Sequence, residues 1–315
     1  MIAGNLSKEW MFLKDEAGAL GICAIGTVSS RCIESKYVDL FKKWLLNGYD
    51  AEMNYMRNNR EIRFNPASIM DDTTIIISAA FAYGDGAIKN GVWNHIASHA
   101  RGRDYHKSIK KRMLKLGESI KKRFADVKFR AFTDSAPLME RSIAVMAGVG
   151  NIGKSGMLIV ENVGPKILLG ELVCSGVAAG ENSIAHSIDI CKECNLCVDA
   201  CPTIALNGDG TLDAGRCLSY LSGEFKDGDL PDEKRRMVKI FGCDVCSDVC
   251  PHNVNKKSFL EFPATINIAS DIDELIKMSA RELQLKLQGT AMHRTGASII
   301  KRNAIAVSKN LKIKK

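Results

Sequence analysis

The chain has 315 residues, 46% of them hydrophobic, with 44 Lys and Arg against 36 Asp and Glu for a formal charge of +8. A chain of this length buries a substantial core and is expected to fold as two or three globular domains. No run approaches about 18 apolar residues, and the first 26 residues lack the basic start, apolar centre and small-residue cleavage site of an export signal, so a cytoplasmic protein without a membrane role is expected. In chain order, residues 6–18 and 37–46 read as amphipathic helices. In the second, Val38, Phe41, Trp44 and Leu45 recur at helical spacing before Gly48 ends it. The β-branched run from Thr73 to Tyr83 has the character of a buried strand. A long basic helix follows from about Asp104 to Phe124. Residues 101–130 carry twelve Lys or Arg against Asp104, Glu118 and Asp126. Lys128 to Phe132 alternates as a strand and delivers Thr133-Asp134-Ser135 to a strand end, where functional residues commonly sit.

Gly148-Val-Gly150-Asn-Ile-Gly153-Lys154-Ser155 satisfies both the G-x-G-x-x-G and the G-x-x-x-x-G-K-S patterns of phosphate-binding loops. Such loops need a strand before them and a helix after them, so that backbone amides and the helix N-terminus point at phosphate. The order here is reversed. Residues 140–147 read as helix and 156–160 as strand, so the glycines are expected to end a helix and to let the backbone approach something closely. Nucleotide binding is not expected.

The stretch from Cys191 to Pro251 dominates the chemistry. Cys191, Cys194, Cys197 and Cys201-Pro202 reproduce the C-x2-C-x2-C-x3-C-P run of ferredoxins with two [4Fe-4S] clusters. Cys243, Cys246 and Cys250-Pro251 form a second run, and Cys217 lies between them, giving eight thiols for two cubanes. Because the fourth cysteine of the motif binds the other cluster, Cys191, Cys194, Cys197 and Cys250 are assigned to the first cluster. Cys201, Cys217, Cys243 and Cys246 are assigned to the second. Paired zinc sites and disulfides are the competing uses of these thiols. Zinc ribbons rarely show this order with a proline after the last ligand, and disulfides need an oxidising compartment. Cys23, Cys32 and Cys174 read as ordinary reduced thiols. Two clusters of charge about −2 each would bring the loaded chain to roughly +4. A helical region from about Asp271 to Asn310 ends the sequence. Its last fifteen residues, from Lys301, hold six basic residues and no acidic one. This tail and the 101–130 segment are either phosphate-binding patches or solvated helix faces.

Several local patterns together resemble one family, the bacterial epoxyqueuosine reductases. They are residues 48–56 (Gly48 to Met56), Ala100 to Lys107, Thr133-Asp134-Ser-Ala-Pro137-Leu-Met-Glu140-Arg141, and the glycine loop from Ala147 to Ile159. Cys217 to Leu221, Gly289 to Gly296 and Lys301 to Ala304 complete the set, in the family's order and nearly end to end. The resemblance implies an α+β chain. Residues 1–180 would be a cobalamin-binding α/β catalytic domain, 181–258 a ferredoxin-like double [4Fe-4S] domain and 259–315 a short helical C-terminal region. It also implies reduction of epoxyqueuosine to queuosine at the wobble position of tRNA, with base-off cobalamin and an external reductant such as a flavodoxin or ferredoxin. Queuosine-type anticodon loops would be the partner.

Asp134 matches the family's general acid, against the plain alternative of a helix N-cap before Pro137. Arg57, Arg101, Tyr105, His106, Met157, Leu158 and Ser219 fall where the family lines its cobalamin pocket. No D-x-H-x-x-G signature is present, so His106 is expected to hydrogen-bond in the pocket and not to ligate cobalt. His95, His99, His186, His252 and His293 are expected to be surface or structural groups. The sequence departs from the family pattern at Asn151, where an aromatic residue is usual, and at Asp50-Ala51 in place of a common His-Gly. Longer relatives continue into further helical repeats where this chain has only Asn310 and five more residues. Two other readings therefore stay open, a related cobalamin reductase with another small substrate and a plain electron carrier.

Overall fold

In the computed structural model, the β-branched run forms the longest strand of a four-stranded sheet. The structure describes residues 6–30, 33–84, 91–178, 188–226, 228, 230, 238–254 and 268–313; Cys32, His186, Lys314 and Lys315 lie outside them. The elements are α1 (Leu13–Ala19), β1 (Ala24–Ser29), α2 (Ser35–Leu46), α3 (Arg60–Phe64) and β2 (Thr73–Ala82). Then come α4 (Tyr105–Arg123), β3 (Lys128–Phe132), α5 (Glu140–Met146), β4 (Asn151–Ile152), β5 (Leu158–Ile159) and β6 (Ile167–Ser175). Short helices α6 (Leu196–Asp199), α7 (Leu218–Gly223) and α8 (Val245–Asp248) precede a helical end of α9 (Ile272–Lys277), α10 (Ala280–Lys286) and α11 (Ala297–Ile313). Among the described residues, no helix is long and apolar enough to cross a membrane.

The sheet runs β1-β2-β6-β3 and every neighbouring pair is antiparallel. The fold is therefore α+β. Alternating residues of the strands feed two cores. Ile75, Ile77, Leu172 and Cys174 meet Leu13 of α1 and Ile109, Met113, Leu116 and Ile120 of α4. Ile76, Ala80, Leu169 and Val173 meet Ile143 to Ala147, in α5 and just beyond it. The spacing of the buried residues of α4 leaves its basic face in solvent, with Lys107, Lys110, Lys111, Lys115, Lys121 and Lys122 exposed. Gly26 is needed where α5 ends on β1, since a Cβ there would stand 1.9 Å from the Ala147 carbonyl oxygen.

A third core joins distant parts of the chain. Val92, Trp93 and Ile96 pack with Leu218 and Leu221 of α7, Ile240, and Leu275, Leu283, Ile300 and Val307 of the helical end. Polar ties reinforce it. The buried Asn303 amide donates to the Ser222 and Ile240 carbonyls at 2.8 and 3.0 Å, and Arg302 donates to the Leu221 carbonyl at 2.9 Å.

The Asp50-Ala51 departure has a structural consequence. Asp50 is fully buried and takes both nitrogens of an Arg57 fork at 2.6 Å. Ala51 sits at φ 49°, in the left-handed region that glycine adopts freely. Ala51→Gly should stabilise the chain by up to about 1 kcal/mol and raise its thermal midpoint by roughly 1–3 °C. An unchanged or lower midpoint would mean that the turn holds no strain.

Candidate active site

Four of the eight cysteines, Cys191, Cys194, Cys197 and Cys250, line one cavity together with Ser155, Ile159, Pro251 and His252. Cys217 stands within electrostatic reach of Cys201, Cys243 lies near Cys217, and Cys246 feels Cys243, Cys217 and also Cys197. All eight are free thiols, as are Cys23 and Cys174. Helices α6 and α8, each starting inside its own cysteine run, pack against one another and bring the runs together. Burial pushes the Cys243 thiol up to about 11 and Cys246 to about 12. Among the described residues, no three or more His, Cys, Asp or Glu are gathered as a single metal ion requires. The four thiols lining one cavity supply a donor set of the kind a four-iron cube takes.

Contacts with residues earlier in the chain come from both cysteine runs. The glycine loop sits over the first quartet. The Lys154 N–H points at the Cys191 sulfur at 3.4 Å, and a Cβ on Gly153 would lie 3.2 Å from that sulfur. Helix α5 precedes the loop and the β4–β5 hairpin completes it, so the phosphate-loop pattern serves close approach to a sulfur. From the second run, Asp244 accepts both the N–H and the hydroxyl of Ser98, at 2.6 and 2.8 Å. Asp248 pairs with the buried Lys166 at 2.6 Å.

Asp134 does not cap α5, whose N-cap position is Met139. It stands just beyond β3 at φ 47°, with its side chain exposed to solvent. Strand β3 fixes this position through the buried Thr133, whose hydroxyl donates to the Leu169 carbonyl at 2.7 Å. Tyr105, the first residue of α4, donates its hydroxyl to Asp134 Oδ2 at 2.7 Å. Burial, and then the Asp134 charge, push the Tyr105 phenol upward, so it stays protonated and donating. The Asp134 backbone N–H donates to Glu140 Oε1 at 2.8 Å. Behind them lies Glu171 of β6, fully buried between Ser78 of β2 and Phe132 of β3.

The other sequence-selected residues take varied positions. His106 stacks on Tyr105 with ring centroids 4.1 Å apart and holds Asp104 at 2.6 Å, and Arg101 donates to the Ile96 carbonyl at 2.8 Å. Arg57 is engaged by Asp50, Met157 is half-buried, Leu158 is buried in the core beside α5, and Ser219 is exposed. Tyr55 feels the charges of Glu224, Arg294, Arg63 and Asp134, Tyr220 accepts the Glu52 N–H at 3.2 Å, and Arg141 donates to the Gly156 carbonyl. The segments around Tyr55, Tyr105, Asp134, Gly156, Tyr220 and Arg294 thus gather on one side of the molecule. Glu140 and Arg294 lay inside segments singled out in the sequence without a role being assigned to them. Glu171 was missed, although a lone acid inside Ile167-Leu-Leu-Gly-Glu171-Leu-Val-Cys174 was a readable signal. His99 is half-buried, edge-on to Tyr83, Tyr105 and near Phe241 at centroid distances of 6.0, 6.1 and 6.0 Å, and burial lowers its proton affinity.

An α+β domain that presents a carboxylic acid at a strand end, joined to a module with two four-cysteine sets, defines an iron–sulfur oxidoreductase. Residues 190–253 match the 4Fe-4S double cluster binding domain, and residues 63–135 match the model described as epoxyqueuosine reductase QueG, DUF1730. An epoxyqueuosine reductase of Francisella cf. novicida (strain Fx1) is 34% identical over 320 residues, covering 95% of this chain and 87% of the relative. The structure of the epoxyqueuosine reductase from Streptococcus thermophilus superposes with a TM-score of 0.83 at 26% identity, over 96% of this chain and 82% of that one. An epoxyqueuosine reductase crystallised with an epoxyqueuosine-modified tRNA-Tyr stem loop has a TM-score of 0.81 at 27% identity, over 95% and 80%. The chain belongs to the epoxyqueuosine reductase family.

Proposed function

We infer that the chain reduces epoxyqueuosine to queuosine in tRNA. The observation that carries this reading is the Asp134 carboxyl, held by Tyr105 at the solvent edge of β3 on the side where the family's pocket segments gather. Loss of the epoxide oxygen as water consumes two electrons and two protons. Cys191, Cys194, Cys197 and Cys250, and Cys201, Cys217, Cys243 and Cys246, would hold two [4Fe-4S] clusters, which would supply electron transfer. Cobalamin, when bound, supplies low-valent cobalt as nucleophile or reductant. Arg57, Arg101, Tyr105, His106, Met157, Leu158 and Ser219 are the residues assigned to its surroundings. Asp134 protonates the departing oxygen, and Tyr105 aims its carboxyl. Glu140 holds the backbone turn that presents it. An external flavodoxin or ferredoxin is the proposed electron source.

The experiment that tests the function is reconstitution with iron, sulfide and cobalamin, followed by reduction with tRNA carrying epoxyqueuosine and mass spectrometry of the nucleosides. Queuosine is the expected product; its absence with both cofactors bound would favour a reductase of another small substrate.

The basic face of α4, with Lys309 and Lys312 of α11, is assigned to tRNA phosphates. Lys301 and Arg302 are engaged by the fold, through the Met278 and Leu221 carbonyls. With roughly three to five phosphate contacts, log affinity should fall linearly with log salt with a total slope of about −2 to −4.5. Replacing Lys309 and Lys312 with alanine should flatten that line while cobalamin binding stays as it was. A salt-independent affinity would identify these lysines as a solvated face.

A further inference from the structure

Two acids lie behind Asp134 without a part in the chemistry so far. Glu171 is fully buried in the middle of the sheet. Its Oε1 takes the Ser78 hydroxyl at 3.3 Å, and its Oε2 has no hydrogen-bond partner. A buried carboxylate with an unpartnered oxygen carries a desolvation cost of several kcal/mol as an anion, which protonation removes. Burial and the nearby Asp134 charge accordingly push Glu171 up to about 8. Glu140 opens α5, which packs on β6. Burial pushes its carboxyl well up, followed by the charges of Glu171 and Asp134. The other titratable groups facing the pair are Tyr105 of α4, and Arg141, whose guanidinium is committed to the Gly156 carbonyl. Two carboxyls so placed cannot both be charged near neutral pH, so the pair keeps at least one proton.

The stoichiometry gives that proton a use. When an epoxide becomes an alkene, both carbon–oxygen bonds break, two electrons enter and the oxygen leaves with two protons as water. A single carboxyl such as Asp134 can deliver only one proton at a time. It is exposed in the free chain, so substrate docking covers it and cuts its route to bulk water. We propose that Glu140 and Glu171 form an internal proton store that recharges Asp134 from behind and supplies the second proton of each turnover, an inference that rests on epoxide reduction as the function. The proposed path runs from Glu171 to Glu140 and on to the Asp134 carboxyl, with the Glu140 carboxyl held beside Asp134 by the Asp134 backbone N–H at 2.8 Å.

The test uses the cofactor-loaded chain and Glu171→Gln, which keeps the size and can still accept the Ser78 hydroxyl but has no proton to release. Infrared titration of the wild type should show a deuterium-sensitive protonated carboxyl that is lost near pH 8, and the Glu171→Gln variant should lose that component while a Glu140 component remains. Between the ordinary glutamate value of 4.5 and about 8, the folded wild type binds the extra proton and the unfolded chain does not, so stability falls as pH rises through that window. The thermal midpoint of the variant should therefore gain on the wild type from pH 5 to pH 8. In single turnover the variant should form queuosine about 10²-fold more slowly, with tRNA affinity unchanged and the rate rising with added small carboxylic acids. A purely structural role would not give that rescue. If the wild type shows no such infrared band, or if the variant turns over at the wild-type rate, the store is overturned while the function stands. If the wild type does not reduce epoxyqueuosine, the function falls, and the infrared band alone decides whether the pair holds a proton.

Discussion

Asp134→Asn is expected to lower turnover on epoxyqueuosine-containing tRNA by about 10²-fold or more, with binding of tRNA and cobalamin nearly unchanged. The structure makes this substitution unusually clean. Asparagine tolerates the left-handed backbone at φ 47° nearly as well as aspartate does. Its amide oxygen can still accept the Tyr105 hydroxyl, and the bond from its backbone N–H to Glu140 does not involve the side chain. What disappears is the transferable proton. Since α5 is capped at Met139, no helix cap is lost either. Steady-state kinetics beside a direct binding measurement separates the outcomes, and retained turnover would remove Asp134 from the chemistry.

Cys217→Ala is expected to reduce bound iron from about eight to about four atoms per chain, because only the second cluster loses a ligand. Cys217 is the one thiol of its quartet outside both cysteine runs. It reaches the others because it immediately precedes α7, whose Leu218 and Leu221 are locked into the third core. Burial raises its proton affinity, with Cys201 and Asp213 adding to the effect, as suits a thiol facing others that only metal neutralises. Iron analysis with low-temperature electron paramagnetic resonance checks the result. Iron near eight with both signals intact would assign the fourth ligand elsewhere.

Much of this was legible because the signals are local. The cysteine spacings, the basic helix and β3 need no tertiary information, and β3 occupies Lys128–Phe132 as its alternation implied. The glycine loop was read correctly from its flanks, helix before and strand after, although only the folded chain supplies the sulfur that its backbone approaches. Sheet order was not legible, since residues that pair across 93 positions, such as Ser78 and Glu171, leave no periodic trace. The two-carboxyl arrangement escaped for the same reason. Glu171 is an interruption in an apolar strand, and its meaning depends on the helix that packs above it. The latches from Ser98 to Asp244 and from Lys166 to Asp248 are equally non-local.

The tie between α11 and the second cysteine run makes metal content a term in substrate recognition. Asn303 and Arg302 bind the carbonyls that end α7 and the one at Ile240, three residues before Cys243, so the seat of α11 is built from the chain that wraps the second cluster. Metal that binds only the folded form stabilises that form by mass action, and here it stabilises the platform of Lys309 and Lys312 as well. Loss of the second cluster in Cys217→Ala is therefore expected to loosen α11 more than α4, which packs on the sheet away from that seat.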